Sequence, residues 1–156
     1  MIKTNKGDIL KNIKNGILCH GVNAQGVMGS GIASQIKKAY PEAFKVYLEQ
    51  YKVNDSLEPG SISVASVKPH PEQPVPLYVI NAVTQKYFGR DGNLYVDYNA
   101  IKLCFQKIND FAIKNKILDV NFPMIGAGLG GGDWNLISKI IDDNLDDSIN
   151  KNLWVL

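Results

Sequence analysis

Two runs of glycine are the part of this sequence best suited to chemistry. In the first, His20-Gly21-Val22-Asn23-Ala24-Gln25-Gly26-Val27-Met28-Gly29-Ser30-Gly31-Ile32-Ala33, three glycines fall within six residues and lead into helical spacing. Glycine has no Cβ, so its backbone N–H can approach an anion unobstructed, and a helix N-terminus behind it adds unpaired N–H groups and a favourable dipole. The same pattern also serves as a plain tight turn. In the second, Pro123-Met124-Ile125-Gly126-Ala127-Gly128-Leu129-Gly130-Gly131-Gly132-Asp133-Trp134, five glycines stand in seven residues. So many glycines are costly in conformational entropy, which argues for a use beyond turning the chain. No Gly-Lys-Ser/Thr follows, and the run is not placed near the first strand as a dinucleotide fingerprint would be. Two such loops on one rim could hold a diphosphate from both sides.

Titratable groups flank both loops, and each has two readings. His20 ends an apolar run with a ring that titrates near neutrality, and is either a structural residue or an acid–base group. Asp133, at the far edge of the second loop, could orient a water or receive a proton, and could equally cap the helix that starts at Trp134. Asp8 follows Gly7 and reads locally as a turn residue. Cys19 and Cys104 are the only cysteines; both sit on apolar runs, form no metal spacing and read as small core residues. Trp134 and Trp154 read as core residues.

The elements that must position these residues follow from periodicity. Ile17–Val22 is an apolar run ended by a polar loop, the pattern of a buried strand. Ser30 can cap a helix carrying Ile32, Ala33, Ile36 and Tyr40, and Pro41 starts a second with Phe44, Tyr47, Leu48 and Tyr51 on one face. Ser61–Val67 alternates as a strand. The four prolines of Lys68–Pro76 make that segment a loop. Leu77–Ile80 is another buried strand, and Asp97 can cap a long helix with Tyr98, Ile101, Cys104, Phe105, Ile108 and Phe111 inward. Val120–Phe122 enters the second glycine loop, Trp134–Leu145 is helical, and Leu153–Leu156 is a terminal strand. Strands alternating with helices predict a three-layer α/β/α fold around a mixed, mostly parallel sheet. Ligands bind such sheets beyond the carboxyl ends of the strands, where both glycine loops fall.

Length and charge narrow the function. At 156 residues the chain suits one domain over 1–156, and 45% hydrophobic with 21% charged residues is a globular balance rather than a disordered one. A formal charge of +2 gives no electrostatic case for nucleic acid or membrane as the main partner. No apolar run spans a bilayer and Met1–Lys6 lacks the core of a signal peptide, so a cytoplasmic monomer is expected.

With these motifs in order, the chain resembles the macrodomain family, most of all its branch of yeast-type ADP-ribose 1''-phosphate phosphatases and a terminal ADP-ribose glycohydrolase. Four segments carry the resemblance: Gly7-Asp8-Ile9-Leu10, His20 to Ala33, Thr84 to Tyr98, and Pro123 to Trp134. The resemblance implies ADP-ribose as ligand. Asp8 would accept from the adenine amino group, with the Ile9 amide meeting the ring. Asn23 would face the distal ribose. Gly29, Ser30, Gly31 and Ile32 would hold one side of the diphosphate, and Gly126, Ala127, Gly128, Leu129 and Gly130 the other.

Asn23, His20 and Asp133 are the expected catalytic residues, with no metal and no cofactor. The branch's glycohydrolase uses a lysine after its middle strand and an aspartate in its second loop. Here Gly130 takes the aspartate position and the lysine falls near Gln85 or Lys86, which speaks against a lysine–ribose adduct. Lys86 is then a rim cation near the phosphate, or a solvated lysine. The loop Tyr87–Tyr95 could cover the distal ribose. The expected function is removal of the phosphate of ADP-ribose 1''-phosphate. The alternatives are hydrolysis of ADP-ribose from protein or nucleic acid, the one route by which nucleic acid would be a partner, and a non-catalytic reader.

Overall fold

The computed structural model describes residues 1–67, 76–89 and 91–156. Of the proline-rich loop expected over 68–76, all but Pro76 lies outside the described residues, as does Arg90. Among those described, six strands form one sheet: β1 (Ile2–Lys6), β2 (Gly16–Asn23), β3 (Ile62–Val67), β4 (Leu77–Gln85), β5 (Asp119–Phe122) and β6 (Asn150–Val155). Their order is β1-β6-β5-β2-β4-β3. All neighbours run parallel except β3, which pairs antiparallel with β4 at one edge. The helices are α1 (Ile9–Asn12), α2 (Gly31–Ala39), α3 (Pro41–Asn54), α4 (Tyr98–Lys114) and α5 (Trp134–Asn144).

Alternation along the strands builds three layers. On β2, Ile17 and Cys19 point to one face and pack with Ile101, Phe105 and Ile108 of α4 and Ile137 and Ile141 of α5. Leu18 points to the other face and packs with Ile36 of α2 and Ala43 of α3. Each of these large side chains, fully buried, contributes on the order of 1.5–3 kcal/mol. Helix starts follow local chemistry: Asp97 accepts from the Ala100 N–H at 3.1 Å, and Pro41 opens α3 where its missing N–H is not needed. Lys151 of β6 is buried but not orphaned, since its Nζ meets the Asp142 carbonyl at 2.8 Å and carboxylate at 2.9 Å in the last turn of α5.

Three features differ from the sequence expectation. The strand β1 and the short helix α1 were not expected, and β4 runs past Ile80 to Gln85. That extension carries polar residues into the interior, where Asn81 and Thr84 are buried. No described helix is long and apolar enough to cross a membrane.

Candidate functional site

The first glycine loop begins where β2 ends, and Asn23 folds it. Its Oδ1 accepts from the Gln25 N–H at 2.9 Å and the Val27 N–H at 3.4 Å, while Nδ2 donates to the Val27 carbonyl at 2.8 Å. This is the local side-chain turn that asparagine makes readily. Tyr47 of α3 reaches the same residue, its hydroxyl 2.6 Å from the Asn23 carbonyl and 3.0 Å from Oδ1. At Gly26, φ is +77° and an added Cβ would press on the Tyr51 ring, so the turn needs glycine there. Ser30 stands at the N-cap of α2 without a capping side-chain bond, leaving the first N–H groups of that helix to an outside acceptor.

The second loop divides in two. An added Cβ at Gly128 would meet nothing within 4 Å. Beyond it the chain is crowded by the segment preceding α4. The Gly130 carbonyl accepts from Tyr95 N–H at 2.8 Å and Val96 N–H at 3.0 Å, and Gly132 N–H donates to the Gly126 carbonyl at 2.7 Å. A Cβ at Gly130 would lie 2.8 Å from the Gly126 carbonyl oxygen, and one at Gly132 would lie 2.7 Å from Val96.

Both loops open on one cavity of about 460 Å³, a size that suits a nucleotide-scale ligand. Of the expected ligand residues it brings together Asn23, Gly29, Ser30, Gly31, Ile32, Gly126, Gly128, Leu129 and Gly130. Thr84 and Gln85, at the carboxyl end of β4, and Phe88 of the following loop complete the wall. The Thr84 side chain went unread in the sequence. Its signal was its place at the carboxyl end of a parallel strand beside β2. No acidic, basic, histidine, cysteine or tyrosine side chain is among the lining residues.

The expected acid–base groups lie elsewhere. His20 shares the interior side of β2 with Leu18, is wholly buried, and has Nε2 2.6 Å from Asn81 Oδ1. Asn81 Nδ2 donates to the Ala43 carbonyl and to Ser63 Oγ, so its oxygen must face the ring and Nε2 must carry the proton. Nδ1 has no protein partner. Burial lowers the imidazole pKa to about 4, a shift the Asn81 bond only partly offsets, so the ring is neutral. His20, expected as an acid–base group, thus stands buried and hydrogen-bonded outside the cavity lining, where burial opposes its charging.

Asp133 caps α5, accepting from the Asn135 N–H at 2.9 Å, and is exposed outside the lining. Asp8 caps α1 through the Leu10 N–H at 2.9 Å, with Ile9 buried behind it. Asp8, Ile9, Ala127 and Lys86 also fall outside the lining, and the Lys86 ammonium lies 5.4 Å from the Tyr87 ring centroid. Among the described residues there is no cluster of metal-ligating side chains.

The Macro domain model matches residues 19–141, a span that holds both glycine loops. The chain belongs to the Macro domain family. An uncharacterized 17.5 kDa protein of Enterobacteria phage T4 is 33% identical over 147 residues, covering 91% of this chain and 88% of its own. A DNA ADP-ribosyl glycohydrolase of Mycobacterium tuberculosis is 33% identical across 89% of this chain, but the match spans only 37% of that longer protein. An ADP-ribose 1''-phosphate phosphatase of Meyerozyma guilliermondii is 28% identical, with 87% and 89% of the two chains covered. The macrodomain of Mycobacterium tuberculosis DarG superposes with a TM-score of 0.81 at 25% identity, over 100% of this chain and 98% of that one. The chain is thus a macrodomain whose relatives include hydrolases of ADP-ribose derivatives.

Proposed function

We propose that the cavity binds ADP-ribose with its diphosphate between the two loops, and that the protein hydrolyses the phosphate of ADP-ribose 1''-phosphate. The observation that supports this reading is a nucleotide-sized cavity lined by glycines of both loops and an uncapped helix start, with no titratable side chain among the described lining residues. Such a wall favours phosphate oxygens and supplies no proton carrier of its own. The substrate can supply one, because a phosphate monoester takes up its second proton near pH 6.

In this reading a water attacks the phosphorus of the terminal ester. Its oxygen bonds to phosphorus as the bond from phosphorus to the ribose oxygen breaks, and one of its protons passes by way of a phosphate oxygen to that departing ribose oxygen. ADP-ribose and inorganic phosphate are the products. Asn23 orients the distal ribose, and the N–H groups of Gly29 to Ile32 and Gly126 to Gly130 hold the diphosphate so that positioning supplies much of the rate. Catalysis by a lysine–ribose adduct fits poorly: Gln85 brings no amine, Lys86 lies outside the cavity lining, and the second loop has no room for an aspartate Cβ at Gly130.

A second reading has one observation in its favour. Phe88 and Tyr87 are more than half exposed at the cavity mouth. Aromatic rings there could stack on unpaired bases, as hydrolysis of ADP-ribosylated DNA would require. One panel tests both: ADP-ribose 1''-phosphate, ADP-ribosylated protein and ADP-ribosylated DNA, followed by mass spectrometry. Release of phosphate from the first is expected. Turnover only of the DNA would replace the phosphatase reading, and turnover of none would leave a reader.

A further inference from the structure

Tyr47 carries a hydroxyl that its packing does not need. The ring is wholly buried on α3, among Val22, Ala24, Met28, Leu57 and Val83, and these contacts would hold a phenylalanine equally well. A buried hydroxyl is unfavourable unless it is bonded. This one donates to Asn23, 2.6 Å from the backbone carbonyl and 3.0 Å from Oδ1, so a single proton is shared between both oxygens of one residue.

The consequence falls on the Asn23 amide. With donors from Gln25, Val27 and Tyr47, Oδ1 has no accepting capacity left. One Nδ2 hydrogen goes to the Val27 carbonyl, which leaves the second as the only free polar valence of a side chain that lines the cavity. We infer that Tyr47 is a positioning residue: it locks Asn23 so that the amide meets the ligand as a hydrogen-bond donor only. The group opposite is therefore an acceptor, a hydroxyl or phosphate oxygen at the distal ribose. This rests on the ADP-ribose reading of the cavity. Burial also pushes the phenol up to about 12, so Tyr47 keeps its proton at any working pH.

The test is a double-mutant cycle with Tyr47→Phe and Asn23→Ala, in which non-additivity reports that one residue acts through the other. On ADP-ribose 1''-phosphate, Tyr47→Phe should lower kcat about five- to tenfold, the scale of one lost hydrogen bond, and leave KM within about twofold. In the Asn23→Ala background it should do nothing further. Losses that multiply, or a kcat unchanged by Tyr47→Phe, would overturn the inference.

If the parent turns over no substrate, the hydrolase reading fails but this one does not. The same cycle is then run on ADP-ribose affinity by calorimetry, where non-additivity supports the lock and additive or absent effects refute it. A measurement on the unmutated protein covers the case in which Tyr47→Phe does not fold. In ligand-free protein labelled with ¹⁵N-asparagine, relaxation of Asn23 Nδ2 should report a side chain as rigid as the surrounding backbone. A low order parameter, as of a freely rotating side chain, means that Asn23 is not locked.

Discussion

The glycines of the second glycine loop look alike in sequence and have opposite surroundings. At Gly128 an added side chain would point into open space on the cavity, whereas at Gly130 and Gly132 it would run into backbone and Val96. Gly131 belongs with the latter pair, having φ +73° and the Asn93 carbonyl against its Cβ position. One run of glycines thus answers two demands. Gly128 leaves room for a ligand, whereas Gly126, with φ +76° and Val96 2.7 Å from its Cβ position, and Gly130 to Gly132 let the chain pass close beneath the Asn93–Val96 segment. Glycine content alone signals an unusual loop without saying which demand each residue meets.

Substitutions can separate the two demands. The largest effect is expected from Gly128→Val. Its branched side chain would occupy the space meant for phosphate oxygens, and ADP-ribose affinity should fall by more than about a hundredfold. The fold should be spared within about 1 kcal/mol. In a thermal-shift assay the parent should gain roughly 2.7 kcal/mol from ADP-ribose at about a hundred times its Kd, and the variant nothing. A variant that binds normally would mean that the diphosphate does not lie against Gly128.

The same division between cavity and fold has a pH signature. His20 has its pKa lowered to about 4 from 6.5, so between those values the unfolded chain binds a proton that the folded chain does not. Stability should therefore rise with pH through this window and be lost as pH falls from about 6.5 towards 4, by roughly 3 kcal/mol at the low end. Urea denaturation at a series of pH values should show this slope in the parent and a flatter one in His20→Gln. The described lining residues include no titrating side chain, so ADP-ribose affinity of the folded protein should stay level between about pH 5 and 8. A strong pH dependence of affinity would place an ionisable residue at the ligand after all.

Gly132→Ala should do the reverse of Gly128→Val. Its Cβ overlaps Val96 and the Gly126 carbonyl, so the fold should lose about 1–3 kcal/mol while the protein that remains folded binds ADP-ribose within a few-fold of normal. The smallest effect is expected from Asp133→Ala, which removes the cap on α5 and should cost about 1 kcal/mol in denaturation midpoint. Turnover should change little. A fall of about 10²–10⁴ would return Asp133 to a direct role in proton transfer.

Much of this architecture was legible because local chemistry agreed with the packing. Asp97 followed by six apolar residues at helical spacing became α4, and Pro41 opened α3, because cap, period and burial all pointed the same way. Both loops proved to open on one cavity, as their places after parallel strands required. What escaped notice depended on partners distant in the chain. β1 shows no clean alternation, carrying two lysines on an edge strand whose only sheet neighbour is β6. The continuation of β4 was hidden because Asn81 reads as a strand end, until Ala43, Ser63 and His20 satisfy it. His20 has a ring of the right chemistry at the right place in sequence, and only Asn81, 61 residues away, shows that it faces inward. Tyr47 read as one more apolar position on a helix face, since nothing nearby in sequence announces a bond to Asn23.

The pairing of β1 with β6 sets an order of assembly. Ile2 lies beside Lys151 and Lys6 beside Val155, so this domain's first strand finds its only sheet neighbour in its last. Contacts so distant along the chain are slow to form, and a ribosome delivers the two ends far apart in time. The cavity-forming strands β2 and β4 neighbour each other in the middle of the sheet and can zip together while β1 still waits. The nucleotide pocket should thus be the early-built part of the molecule and the β1 edge the late one. A pulse of hydrogen exchange during refolding would register this as protection of Ile17–Val22 ahead of Ile2–Lys6.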